Sequence, residues 1–181
     1  GWVVRRMAAE PQSAFYRRDA SGAYPLHALL IANTPSALEL CIALCSAWPA
    51  LMTLVHGPGF FSGEGVFHVL AVNRREDELC ELLRQAQMRL GRGMYEAALS
   101  SQATGAFFDS FPQHFFGATT VSYCAANGLG RAVASIMAFD YKTGRKSNRL
   151  TDVREACAMT GFLPVHCAVA NGQKHMFDFL C

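Results

Sequence analysis

Apolar positions along this chain gather into short runs at helical spacing, and the runs open and close on the same kinds of residue. Four of them are entered through a glycine followed five residues later by His, or once by Ser. These are Gly22-Ala23-Tyr24-Pro25-Leu26-His27, Gly63-Glu64-Gly65-Val66-Phe67-His68, Gly117-Ala118-Thr119-Thr120-Val121-Ser122 and Gly161-Phe162-Leu163-Pro164-Val165-His166. Each leads into a short apolar helix pattern that stops near Asn33, Asn73, Asn127-Gly128 or Asn171-Gly172. A second helix is predicted after each stop, over residues 37–47, 76–88, 130–139 and 174–181. The unit is turn, helix, tight turn, helix.

Each part has a physical reason. Glycine supplies a positive φ or a close backbone approach at the turn, and Pro25 or Pro164 sits in the first helical turn, where a missing N–H costs nothing. The histidine just inside the first helix can bond neighbouring backbone groups and is expected to tie one turn to the next. Asn or Asn-Gly between the helices tolerates the left-handed conformation that reverses the chain. One such unit cannot bury its own apolar face, so units must stack and share a core. The expected core is Leu26, Leu29, Leu30, Leu40 and Leu44, then Phe67, Leu70, Leu79, Leu82 and Leu83. Tyr123, Ile136 and Met137 follow in the third unit, and Val165, Val169, Phe177 and Leu180 in the fourth.

This is the ankyrin layout, with a degraded G-x-T-P-L-H-x-A pattern. The expected fold is therefore all-α, an ankyrin-repeat solenoid in one domain over residues 1–181, with repeats at about 20–48, 61–88, 115–139 and 159–181. The turn glycines stand 41, 54 and 44 residues apart, longer than the ~33 of an ordinary ankyrin unit. The excess falls in long fingers at 48–61, 89–116 and 140–160. The middle finger ends in Phe107, Phe108, Phe111, Phe115 and Phe116, and five exposed phenylalanines are costly unless they pack. They either cover their own repeats or meet another protein.

Composition narrows the function classes. With 51% hydrophobic and 17% charged residues, the chain lies on the apolar side for a soluble domain, so a partner or further sequence is expected to cover part of it. Sixteen basic against fourteen acidic residues give no electrostatic reason to expect nucleic acid. Seven cysteines, an odd number in mostly apolar patterns, suit a reducing compartment. Cys41 and Cys45 share a helix face, but no second pair stands at zinc-finger spacing, so no metal is expected. No apolar run reaches the ~18 residues that span a bilayer. The chain starts without Met and stops in an apolar helix pattern, as a piece of something longer would.

Enzyme readings of the same residues are weak. Gly57-Pro58-Gly59 and Gly63-Glu64-Gly65 look like a phosphate loop, but no Gly-Lys-Ser/Thr follows. Cys-His pairs can be proposed for nucleophilic catalysis, yet His27, His68 and His166 occupy one repeat position, which a structural role explains at once. Glu76, Asp77, Glu78 and Glu81 start a helix, where negative charge suits the dipole. No catalytic residue, no metal ligand and no cofactor is expected. Gly22, His27, Gly63, His68, Gly117, Ser122, Gly161 and His166 are read as repeat-turn residues, and the five finger phenylalanines as a protein-contact surface.

The pairing of an aromatic doublet with a turn glycine after a long finger resembles a particular family. Phe60-Phe61-Ser62-Gly63-Glu64-Gly65-Val66-Phe67-His68-Val69-Leu70-Ala71 is similar to a Y-Y-x-G-Q-T-A-L-H-I-A repeat, with Glu64-Gly65 in place of Gln-Thr. His114-Phe115-Phe116-Gly117 through Ala125-Ala126 is similar to an F-Y-F-G-E-x-P-L-x-x-A-A repeat, with Ala118 in place of the acidic residue. Both belong to the cytoplasmic ankyrin-repeat domain of transient receptor potential channels of the vanilloid type. The resemblance implies the amino-terminal cytosolic part of a tetrameric, often calcium-permeable cation channel. Its partners would be other subunits and soluble regulators, with the membrane reached only through a transmembrane part outside this chain. A free-standing ankyrin scaffold is the alternative.

Overall fold

The computed structural model describes residues 12–110, 115–142 and 156–181. Among these, ten α-helices form: α1 (Pro25–Ala32), α2 (Pro35–Ala47), α3 (Val66–Val72), α4 (Glu76–Arg89), α5 (Arg92–Ser100), α6 (Ala106–Ser110), α7 (Thr120–Asn127), α8 (Gly130–Lys142), α9 (Pro164–Ala170) and α10 (Lys174–Leu180). Two 3-10 turns, Gln12–Tyr16 and Pro49–Thr53, accompany them. The described residues contain no strand, only the isolated bridges Val55 to Gly65 and Ala103 to Ala118. The described residues are all-helical, as the periodicity leads one to expect.

Local chemistry fixes where the helices begin and turn. Thr34 Oγ1 accepts from the Ala37 N–H at 3.3 Å and Pro35 opens α2, so one orphan donor is satisfied and none is missing from the ladder. Asn33, Gly128 and Gly172 take the left-handed conformation between paired helices, with φ of 49°, 72° and 66°. The second unit departs from expectation. There Arg74 has the positive φ, 55°, while Asn73 stays at −76°. Asn73 instead donates from Nδ2 to the Leu30 carbonyl at 3.2 Å, which ties α3 to α1.

The first helices α1, α3, α7 and α9 pack side by side in chain order, and the second helices α2, α4 and α8 form a parallel layer behind them. Polar ties cross between successive pairs. Arg75 donates to Asn33 Oδ1 at 2.7 Å and to its carbonyl at 3.1 Å. The Glu76 carboxylate accepts from the N–H groups of Arg131 and Ala132 at 2.8 and 3.3 Å, so the acidic start of α4 caps the next second-layer helix. Gln85 accepts from the Ser46 hydroxyl at 2.9 Å, joining α4 to α2.

The core follows the two layers. Leu26, Leu30, Leu44, Phe67, Leu70, Leu79, Leu82, Leu83, Tyr123 and Ile136 are buried, and Leu29, Leu40 and Leu180 are partly so. Three expected core residues are exposed instead: Met137 at 37%, Val169 at 58% and Phe177 at 41%. The buried face of α8 is set by Ala132, Val133 and Ile136, and Met137 falls at its edge. In the last pair Cys167, Ala168 and Met176 are buried, while Val169 and Phe177 are open. Periodicity marks two apolar flanks there but cannot tell which one meets α7.

The middle finger is also more ordered than a loop. Two helices, α5 and α6, lie within 89–116. Tyr95, Ala98 and Leu99 of α5 are buried, and α5 packs on Pro49–Thr53, α4 and α7.

Candidate functional site

The four turn glycines share a backbone conformation that L side chains avoid. Their φ values are 86° at Gly22, 81° at Gly63, 75° at Gly117 and 70° at Gly161. Space excludes a side chain at two of them as well. A Cβ on Gly63 would strike the Gln102 carbonyl oxygen, and one on Gly117 would lie 2.6 Å from the Met159 nitrogen. Successive turns meet through their backbones: Gly57 N–H donates to Gly22 O at 3.0 Å, and the N–H groups of Thr104 and Gly105 donate to Ser62 O at 2.9 and 3.1 Å. Ala158 N–H donates to Gly117 O at 3.2 Å. The described parts of the fingers therefore meet the turns in chain order.

The repeat histidines make one bond three times. Nδ1 of His27, His68 and His166 accepts from the N–H of Tyr24, Gly65 and Leu163 at 3.3, 3.1 and 3.1 Å. Each donor is the residue preceding the histidine's own helix, so the bond closes its own turn. From the next turn, the Leu54 backbone faces the His27 ring and the Ala118 and Ser101 carbonyls face the His68 ring, outside normal hydrogen-bond geometry. In the third unit Ser122 is fully buried, and its hydroxyl accepts weakly from the Cys157 thiol at 3.7 Å.

Burial sets the electrostatics of the first two histidines. It pushes His68 down to about 4, against the opposing effect of the nearby Ala118 and Ser101 carbonyls. It pushes His27 down to about 3, helped by repulsion from His56, whose ring stacks on it at 4.0 Å and 11°. Nε2 of His27 and of His68 lacks a hydrogen-bond partner at normal geometry. Neutral imidazoles with Nδ1 already engaged and pKa values this low are poor general bases near pH 7.

The finger aromatics pack inward. Phe60, Phe61, Phe107 and Phe108 form one cluster, with Phe60 to Phe107 at 5.5 Å, Phe61 to Phe107 at 5.1 Å and Phe107 to Phe108 at 5.3 Å. The Phe107 N–H donates to Phe60 O at 3.0 Å, which fastens α6 to the preceding finger. Phe108 is 2% exposed, too deep to meet another protein. Phe107, Phe115 and Phe116 are partly buried against the core, with Phe115 4.5 Å from the Tyr123 ring. Phe111 lies outside the described residues.

What remains open on this edge is different from the expected set. Ile31 is 59% exposed, Phe60 56% and Val72 43%. Ile31, Phe61, Glu64, Val69, Val72 and Phe107 line a groove of about 330 Å³ between α1, α3 and the middle finger. Burial raises the Glu64 carboxyl to about 7. Nothing in the sequence marked Ile31 or Val72, which sit in apolar helix patterns that read as core.

Among the described residues no group of three His, Cys, Asp or Glu could hold a metal ion, and no helix is long and apolar enough to cross a membrane. All seven cysteines are free thiols, five of them buried. No protein-family model matches the chain, and a search of curated proteins finds no match.

Proposed function

We propose that this chain is an ankyrin-repeat array with long fingers and that it acts by holding other proteins. In this reading it is the cytosolic amino-terminal domain of a transient receptor potential type cation channel, tetrameric and calcium-permeable. The observation that carries the repeat assignment is the thrice-repeated closure of a positive-φ glycine turn by His Nδ1, set between two layers of stacked helices. The channel assignment rests on the motif resemblance from Phe60 to Ala126 and on the order of finger lengths. The chain itself conducts nothing. It contributes assembly contacts and a lever through which cytosolic events bias gating, which requires contacts that differ between closed and open states.

The free-standing scaffold is the second reading, favoured by the exposed apolar positions along the finger edge, which suit any protein partner. The full reading frame of the parent polypeptide separates the two. Six bilayer-length helices with a pore loop after Cys181, and cation currents when the parent is expressed in cells, are expected for the channel. A full reading frame without them overturns the channel assignment and leaves the scaffold.

A further inference from the structure

We propose that the groove between α1, α3 and the middle finger receives a cationic side chain, a lysine or arginine carried on an apolar stretch of a partner polypeptide. The proposal deepens the reading of the chain as a protein-binding array and rests on it.

Glu64 is the reason. Several acidic residues of this edge and of the second layer have partners: Asp19 accepts from Ser21 and Ala23, Glu76 and Asp77 meet Arg131, and Glu81 meets Arg84. Glu39 and Asp109 have none among the described residues but are exposed to water, whereas Glu64 lines the groove. Glu64 has no hydrogen-bond or ion-pair partner for its side chain among the described residues, and burial is the one cause that shifts its titration. Its position is imposed by the backbone, since its carbonyl accepts from His56 N–H at 2.8 Å and its N–H donates to Phe61 O at 3.1 Å. The titratable group facing it from the adjoining helix is Tyr123 of α7, whose hydroxyl has no hydrogen-bond partner and whose ionisation Glu64 opposes further after burial has. Neither group neutralises the other.

A carboxylate held in an apolar groove without a counter-charge is less stable than a neutral side chain of the same shape, and an incoming cation reverses that. The walls suit a long aliphatic stem, with Ile31, Val69 and Val72 along it. Phe61 and Phe107 line the same groove as Glu64, and aromatic faces attract ammonium and guanidinium groups. The volume, about 330 Å³, lies at the small end of ligand sites and suits one side chain better than a cofactor. Ile31 and Val72 on its walls are themselves exposed, and exposed Phe60 extends the apolar surface beyond the groove, which points to a polypeptide around the cation and not to a free amine. An anionic ligand would meet the same carboxylate and be repelled.

The test is an NMR titration of the 181-residue chain at pH 7.5 with acetyl-Leu-Lys-Leu-amide and with its norleucine analogue, which keeps the stem and removes the charge. The lysine peptide should shift the amides of Val69, Val72 and Phe107. The norleucine peptide on the unaltered chain, and the lysine peptide on Glu64→Gln, should each bind about tenfold more weakly. Saturation with the lysine peptide should lower the Glu64 carboxyl midpoint, followed by its ¹³C signal, by about one unit, the linked equivalent of that tenfold. Equal binding of both peptides, undiminished binding to Glu64→Gln, or shifts confined to other surfaces would overturn the proposal. The norleucine comparison needs no substitution, so it holds even if Glu64→Gln folds poorly. Failure here would leave the repeat-array reading standing, because that reading is tested on the parent polypeptide.

Discussion

His68 and His166 make the same bond in two different surroundings. Both accept at Nδ1 from the N–H three residues earlier at 3.1 Å, and both follow a glycine with φ near that of the other, 81° and 70°. His68 is fully buried, with the Tyr123 ring of the next unit 4.8 Å away. His166 is exposed, with its neighbour Phe162 at 6.2 Å. The hexapeptide therefore dictates the turn by itself, whereas burial is supplied by the unit stacked on it. In a repeat array, stability is a sum of such local and neighbour contributions, and the two histidines separate them.

The largest effects should come from breaking the neighbour contribution in the middle of the stack and comparing it with the last pair. Leu82→Ala, at a fully buried position, should cost about 2–5 kcal/mol in urea denaturation. Phe177→Ala, at 41% exposure, should cost roughly 1 kcal/mol. Equal costs would mean that the last pair is covered as deeply as the second.

Acid should act next. A histidine whose folded pKa lies below its unfolded value binds protons mainly when unfolded, so stability is held above the unfolded value and lost as pH falls through it. With folded values of about 4 and about 3 for His68 and His27 against 6.5, each should cost about 2 kcal/mol by pH 5. Glu64 opposes them. Its folded value of about 7 against 4.5 means that it is protonated more readily when folded, so its stabilisation grows as pH drops from 7 towards 4.5. The chain should therefore lose about 2 kcal/mol between pH 7.5 and pH 5, and Glu64→Gln about 4. Parallel pH profiles for the two proteins would remove Glu64 from the apolar groove. At pH 7.5 itself, Glu64→Gln should stabilise the chain by about 1–3 kcal/mol, because it removes an unpaired, half-buried charge from the apolar groove.

The two histidines themselves should also differ. His68→Ala should cost about 2–3 kcal/mol, since it removes the turn bond and leaves a cavity. His166→Ala should cost about 0.5–1 kcal/mol, the value of one exposed cap. Thermal denaturation of both variants checks this ordering.

Much of the helix layout was legible because it is local. Gly-to-His spacing, Pro25 and Pro164 at helix starts and the acidic opening of α4 each act within a few residues. The misses are all non-local. Met137, Val169 and Phe177 sit on faces whose exposure depends on which flank meets a neighbour. Helices α5 and α6 were hidden in a finger because Tyr95 and Leu99 find their burial against residues about forty positions earlier, in the Pro49–Thr53 turn, and against α7. Arg74 takes the reversing conformation because Asn73 is held by the Leu30 carbonyl of the preceding unit. The groove was invisible for the same reason: Glu64 stands out only through the apolar residues of α1, α3 and the middle finger that the fold gathers around it.

Long-range ¹H–¹⁵N spectra of the imidazoles test the central claim most directly, that the repeated histidine is a turn closure which stacking then buries. His27, His68 and His166 should all be the tautomer protonated at Nε2, with Nδ1 accepting. His27 and His68 should remain neutral from pH 7.5 down to about 5.5 in the folded chain. A titration midpoint near 6.5 for His68, or a proton on its Nδ1, would contradict the account.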